Sequence, residues 1–466
     1  MTSAPSLPGN RILVVGAARS GLAATALLLG HGYQVTLTDS RPAADLDPKI
    51  RQLIEKGGRL EAGGHQATSF RKADLIVVSP GVPSDLAEIR QAREAGVPVW
   101  AEAELAWRFL KGSIAGITGS NGKTTTTSLT THLLREASID AVACGNIGVP
   151  LSSLINEDSS SRWYVFEMSS FQLETIDQLR PHIAVYLNLT QDHLDRHPDF
   201  SHYRNAKERI FSNQTSEDHA VLNLDDTLVA AAADHILSRI SWFGLALDPR
   251  PRFAVERGNF VERSGEAAPR PLLPLTQYAL RGSHNISNAL ASLTTASLCG
   301  AQASDLASGL RSFRPLPHRM EPVGALGGIE FVNDSKATNV DAALRAVEAF
   351  HQPVVWILGG REKGSDFQPL KTTAGSDRVR GVIAMGEAAE RITEVLGNVV
   401  PVRKVIDLSS ALREACALAR SGDVVLLSPA CASFDQYRSY EERGDDFRAR
   451  VRALIEKETG GTASGV

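Results

Sequence analysis

Two kinds of apolar run alternate along the whole chain. Short runs rich in Val, Ile and Leu, such as Arg11–Val15, carry no polar interruption, the mark of a strand buried on both faces. Leu22–Leu29 behind it reads as an apolar helix. Val35–Thr38, Asp74–Val78 and Val97–Ala101 continue this strand series. A second series starts at Ile114–Ile117 and includes Trp163–Phe166 and Ile183–Leu189. A third runs through Ile329–Asn333, Val354–Leu358, Gly381–Met385, Val402–Ile406 and Val424–Leu427. Strands alternating with helical patterns predict parallel α/β sheets. From about Trp242 to Leu280 the helix signal fades, and short strand-like pieces predict antiparallel decoration on the second sheet.

Two joints divide the series. One is Leu110–Ser113; the other is Arg314–Pro317, where two prolines exclude helix and favour an extended linker. They give three domains, 1–111, 112–314 and 315–466, in keeping with a length of 466 residues at roughly 150 per domain. The tail after Lys457 is expected to fray.

Composition narrows the function. Lys plus Arg is 49 against 53 Asp plus Glu, a net charge of −4, which excludes nucleic-acid binding through a basic surface. The four cysteines are far apart with no C-x-x-C pair, so neither a disulfide framework nor a zinc knuckle is expected. The N-terminus lacks a basic segment followed by an apolar one, and no apolar run approaches the roughly 18 residues of a membrane span. A soluble, cytoplasmic chain is expected.

The strongest chemical signal is Gly116–Thr125, GITGSNGKTT, directly after a strand and opening a helix. Glycines let backbone N–H groups approach phosphate, the helix N-terminus adds positive potential, Lys123 reaches terminal phosphates and Thr124 offers a hydroxyl to Mg²⁺. Ile117 stands where the usual phosphate-loop pattern has its first glycine. Near the N-terminus, Gly16–Gly21 also joins strand to helix, but Ala18 replaces the middle glycine of a dinucleotide fingerprint. With Asp39 ending the next strand, it reads as a modified nucleotide site rather than a redox one, against the plainer reading of a structural turn.

Glu167 and His193 follow strands at the ends where open α/β sheets bind ligands, and together suit Mg²⁺ beside ATP. The pair His193 and His197 lacks a third nitrogen or sulfur ligand for zinc. Asn288 is read as beginning a helix, so a capping role competes there with a functional one. Arg319, past the prolines, suits bidentate contact with phosphate. Asp334–Asn339, Gly359–Gly364 and Ser428–Gln436 follow three strands of the third series and together suggest a ligand site.

In this order the segments resemble the Mur ligase family, ATP-dependent amide-forming enzymes of peptidoglycan precursor synthesis. The resemblance covers nearly the whole chain and is most specific in GITGSNGKTTT, EMSSFQLE, Asp192–Asp195, YRNAKERI, HNISNAL, LPHRME, NDSKATN and SPACASFDQ. The last two resemble most the branch that adds D-glutamate. It implies a Rossmann-like N-terminal domain, a central P-loop ATPase-like domain with a mostly parallel sheet, and a Rossmann-like C-terminal domain. It also implies a monomer that joins D-glutamate to UDP-N-acetylmuramoyl-L-alanine, using ATP and Mg²⁺ as two ions.

By the same resemblance, UDP is gripped by Arg19, Ser20, Asp39, Ser40, Arg41, Ser79 and Gly81, and Asn146 holds the muramoyl-alanine arm. ATP lies among Gly119, Ser120, Asn121, Gly122, Lys123, Thr124, Thr125, Asn288, Arg319 and Asp334. D-Glutamate meets Lys336, Thr338, Lys363, Ser433, Phe434 and Tyr440. Glu167, His193 and Thr124 hold metal with Lys207, which the family carries as a carbamate (N6-carboxylysine). From the residues alone, Lys207 reads as a solvated helical lysine. The rival readings are an amide ligase of another Mur or folylpolyglutamate type, an NAD-dependent oxidoreductase and a nucleotide-driven switch. The oxidoreductase leaves GKTT and the third-domain segments unexplained, and the switch predicts phosphate release without consumption of an amino acid.

Overall fold

The computed structural model describes residues 7–83, 86–146, 148–157, 159–191, 197–264, 267–362, 364 and 366–460. Its first sheet is built from β1 (Arg11–Val15), β2 (Gln34–Asp39), β3 (Arg59–Ala62), β4 (Leu75–Val78) and β5 (Val99–Ala101), in the order β3-β2-β1-β4-β5 and parallel throughout. Alternation along β1 explains its uninterrupted apolar sequence. Ile12 and Val14 enter one core with Leu28, Val35 and Leu75, while Leu13 and Val15 enter another with Phe70, Ile76 and Ile89. Both faces are covered, so neither tolerates a polar residue.

The second sheet comprises β6 (Ser113–Thr118), β7 (Ala141–Gly145), β8 (Trp163–Glu167), β9 (Ile183–Tyr186), β10 (His219–Asn223) and β11 (Arg239–Phe243), ordered β11-β10-β9-β6-β8-β7 and again parallel. The expected decoration on this sheet is instead a sheet of its own. Here β12 (Phe253–Glu256), β13 (Asn259–Glu262) and β14 (Arg270–Pro274) pair antiparallel with one another, and Trp242 lies in the parallel strand β11. Arg257 and Gly258, at φ 47° and 75°, make the tight turn that lets β12 and β13 pair locally.

The last sheet holds β15 (Glu321–Leu326), β16 (Ile329–Asn333), β17 (Val354–Gly359), β18 (Val379–Met385), β19 (Val402–Val405) and β20 (Val424–Leu427), ordered β15-β16-β20-β17-β18-β19. Only β15 runs antiparallel, as an edge strand turned by Gly327 and Gly328. Val354, Trp356 and Leu358 of β17 face one core, Val355 and Ile357 the other. The final helix, Tyr440–Gly460, continues through Lys457, so the expected fraying does not begin there. Phe447 and Val451 anchor its start in the core.

By compactness the chain forms two units. One holds the residues up to Pro274 together with Asn288–Leu310; the other holds Leu275–Ser287 and the residues from Arg311 on. Among the described residues, no helix is long and apolar enough to cross a membrane.

Candidate active site

In the first unit, β6 ends at Thr118 and the helix Lys123–Glu136 begins five residues later. The intervening loop turns on Gly119 and Gly122, at φ 153° and 82°. A Cβ on Gly122 would stand 2.4 Å from the side-chain oxygen of Asn288, so a larger residue here would strain the left-handed backbone and displace Asn288. Asn288 is buried and lies in the sixth position of the helix Ser283–Leu298. The expectation that Asn288 begins a helix is therefore wrong. Gly282, at φ 92°, turns the chain earlier and starts the helix at Ser283.

The loop is pinned from beneath. Asn121 N–H donates to Asn188 Oδ1 at 2.8 Å, and Asn188 Nδ2 donates to Asn121 O at 3.0 Å. Asn188 falls inside the expected strand Ile183–Leu189, yet β9 ends at Tyr186, because its side chain serves the loop. Ser120 Oγ donates to Thr190 O at 2.9 Å and lies 3.1 Å from Tyr203 Oη. Lys123 Nζ donates to Gly119 O and Ser120 O at 2.8 and 2.7 Å, curling over the loop. Thr124 and Thr125 follow in the first turn of the helix, Thr125 buried.

Glu167 closes β8, in register with Ile117 of β6, and is only 2% exposed. Its Oε1 accepts from Asn146 Nδ2 at 3.1 Å, while its Oε2 is buried with no hydrogen-bond partner among the described residues. A buried carboxylate oxygen left bare costs free energy unless a cation or donor meets it. Glu167 therefore fits a divalent cation beside the loop. His193 lies outside the described residues, as does the rest of Asp192–Asp195. Lys207 is not solvated: 1% exposed, it donates from Nζ to Gly119 O at 2.7 Å and lies 4.5 Å from the centre of the Tyr203 ring. Its helix, Phe200–Glu208, is capped by Asp199, whose side chain accepts from His202 N–H.

On the first sheet, Asp39 ends β2 facing the Gly16 turn. Its Oδ2 accepts from Ala17 N–H at 2.7 Å, and Arg41 binds both oxygens at 2.9 Å. The Arg41 guanidinium holds the Asp39 carboxyl down at about 2. Ser79 Oγ, buried at the end of β4, donates to Gly16 O at 3.0 Å. Ser40 and Gly81 are exposed nearby in sequence, and Ser20 lies in the first turn of the helix Arg19–Gly30. Arg19 reaches instead to Gly148 O in the loop after β7.

In the second unit, β16, β20 and β17 lie side by side, so the three polar segments that follow them do meet. Asp334 accepts from Ser428 Oγ at 2.9 Å and from Met320 N–H at 3.2 Å. Burial pushes its carboxyl up to about 7, against those hydrogen bonds and the charge of Arg319. Lys336 Nζ lies 3.7 Å from the centre of the Tyr440 ring. Thr338 N–H donates to Lys336 O, and Ser433 is buried, whereas Phe434 is exposed. Lys363 lies outside the described residues.

Two residues of evident structural weight escape sequence reading. Asn188 is the first. The second is Arg443, 1% exposed in the helix Tyr440–Gly460, donating to Ser335 Oγ and O, Cys431 O, Ala432 O and Gly359 O at 2.9–3.4 Å. It ties all three strand-end segments together, and burial lowers its guanidinium to about 10. A run such as YEERGDD, typical of a solvated helix, gives no hint of it. The candidate residues thus gather in groups: loop, Glu167, Asn146, Lys207 and Asn288 in one unit; Asp334, Lys336, Thr338, Ser433 and Tyr440 in the other.

The chain has known relatives. The chain matches the family descriptions "Mur ligase MurD-like, N-terminal domain" over residues 10–101, "Mur ligase middle domain" over 117–296 and "Mur ligase, glutamate ligase domain" over 318–431. It is 48% identical to the UDP-N-acetylmuramoylalanine–D-glutamate ligase of Acidobacterium capsulatum, over 96% of this chain and 97% of that one. The protein of that name from Koribacter versatilis is 42% identical over 97% and 99%. Among solved structures, a pseudomurein peptide ligase type C from Methanothermus fervidus superposes with a TM-score of 0.61 at 18% identity, covering 96% and 100%. UDP-N-acetylmuramate–alanine ligase from Thermotoga maritima gives 0.58 at 18%, covering 95% and 99%. At that identity these two speak for the three-domain fold. From the near-full-length relatives, the chain belongs to the Mur ligase family.

Proposed function

We propose that the chain is an ATP-dependent ligase that joins the amine of D-glutamate to the alanine carboxylate of UDP-N-acetylmuramoyl-L-alanine, a step of peptidoglycan precursor synthesis in the cytoplasm. The reading divides the chain into a UDP-substrate domain (1–111), an ATP domain (112–314) and an amino-acid domain (315–466). The observation that carries it is the bare, buried Glu167 Oε2, in register beside a glycine loop that closes on Lys123.

A carboxylate acylates poorly because oxide does not leave. Transfer of the terminal phosphoryl of ATP to the alanine carboxylate gives an acyl phosphate whose leaving group is phosphate. ADP is the leaving group of that transfer; the D-glutamate amine then attacks the acyl carbon, and the tetrahedral intermediate loses a proton and expels phosphate to give the amide. The glycine loop offers N–H groups to the phosphates, and Lys123 neutralises charge that develops as the phosphoryl moves. Glu167, Thr124 and His193 would hold Mg²⁺, which when bound lowers the charge on those phosphates. Two such ions, and a monomeric chain, complete the reading.

Lys207 is proposed as the carbamylated lysine. Burial disfavours an ammonium and so exposes the neutral amine that reacts with CO₂. The resulting carbamate would bring oxygen ligands to the loop where Nζ now meets Gly119 O. Arg19, Asp39, Arg41, Ser79 and Asn146 would hold the UDP substrate, and Lys336, Thr338, Lys363, Ser433 and Tyr440 the amino acid. The test is phosphate release with UDP-N-acetylmuramoyl-L-alanine against a panel of L- and D-amino acids. D-Glutamate alone should support turnover, and preferred use of L-lysine, L-alanine or diaminopimelate would overturn the assignment.

A further inference from the structure

His197 is the second member of the i, i+4 pair with His193, and it is buried, 2% exposed. Its ring is held on several sides. Nε2 lies 2.9 Å from Ser170 Oγ, and Nδ1 lies 3.2 Å from Glu174 Oε1. The Ser170 hydroxyl is thus within hydrogen-bond reach of one ring nitrogen, and the Glu174 carboxylate faces the other at ion-pair distance. Phe171 stacks on the ring at 5.3 Å and 9°, and Tyr203 packs at 5.2 Å and 58°. The geometry therefore leaves the imidazole one orientation.

Tyr203 carries that orientation onward. Its hydroxyl lies 3.1 Å from Ser120 Oγ in the glycine loop, and its ring faces Lys207 Nζ at 4.5 Å. Ser120 Oγ in turn donates to Thr190 O and accepts from Thr190 N–H. In the other direction, Glu174 and Phe171 line a pocket with Ser79, Val82 and Ala101. His197 thus packs between residues of that pocket wall and Tyr203, whose hydroxyl reaches the phosphate loop.

We propose that His197 is a positioning residue for nucleotide binding: anchored by Ser170 and Glu174, it fixes the Tyr203 ring, and through it Ser120 and Lys207. The proposal rests on the phosphate-loop reading above. His197→Phe keeps an aromatic ring to stack on Phe171 but loses both polar contacts. His197→Gln keeps a donor and an acceptor.

The test is calorimetric titration of the full chain with Mg²⁺ and a non-hydrolysable ATP analogue, and separately with UDP. H197F should bind the analogue about tenfold more weakly, the scale of one or two net hydrogen bonds. Its affinity for UDP and its melting temperature should be unchanged, and H197Q should recover part of the loss. The losses in H197Q and Y203F should also be less than additive in the double variant, because both act through one ring. This second cycle decides the matter should H197F fail to fold. Wild-type affinity in H197F, equal losses for both ligands, or additive losses would overturn the role of His197. No analogue binding by the unaltered protein would overturn the phosphate-loop reading itself and this proposal with it.

Discussion

A buried acid reveals its purpose by what it lacks, and two carboxyl groups here lack different things. Glu167 has one oxygen bonded and one bare. Glu167→Gln keeps the shape of the side chain and removes a buried charge that the fold keeps at some energetic cost, so we expect the variant to fold normally. Its phosphate release should fall at least roughly 100-fold, with a higher Mg²⁺ requirement. A magnesium titration of the steady-state rate checks this. Asp334 is fully bonded but poorly solvated, and its carboxyl sits at about 7 instead of the ordinary value near 3.8. The folded protein therefore holds this proton more tightly than the unfolded chain does. The stability it brings is complete below about pH 4 and is lost as pH rises through about 7. Asp334→Asn removes the titration, so its melting temperature relative to wild type should be higher at pH 8 than at pH 5. An equal difference at both pH values would contradict the argument. Sequence located both acids by their strand-end positions. It misjudged Lys207, because flanking charges in YRNAKERI suggest solvent, whereas helical periodicity carries that one side chain inward.

At the scale of elements, the strands whose two faces are both buried were legible: β1, β16 and β20 have the expected bounds, since an apolar run has no other use there. The edge strands β3 and β15 escaped, because half-exposed sequences such as RLEA and EPVGAL carry no such run. The separate antiparallel sheet was seen as strands but misplaced, since pairing partners are not written in local pattern. Arg443 belongs to this scale too, as one side chain serving three loops. Arg443→Met should leave several carbonyls without donors and cost about 3 kcal/mol. The Michaelis constant for D-glutamate should rise, with Arg443→Lys intermediate because an ammonium cannot match a planar fork. Denaturant midpoints and initial rates for the two variants measure both effects.

For the whole molecule, the groups proposed for different substrates sit on different sheets. Lys123 follows β6 of the second sheet, while Asp39 ends β2 and Ser79 follows β4 of the first. Lys123→Ala should therefore abolish ATP-dependent ligation, yet bind the UDP substrate with near-normal affinity by calorimetry. Near-normal product formation would defeat the prediction. The succession of three strand series was visible in sequence because each carries its own apolar rhythm. The path of the chain between compact units was not.

That path has a consequence for the chain as it is made. The segment Leu275–Ser287 is synthesised before Asn288–Leu310 but belongs with what comes after Arg311. Within its unit, Arg281 binds Glu330 at 3.0 Å and lies 5.7 Å from the centre of the Phe350 ring. The early segment must therefore wait for partners not yet translated, while the rest of the first unit is still being made. A cut at the proline joint, attractive on sequence grounds, would separate the second unit from a piece of itself.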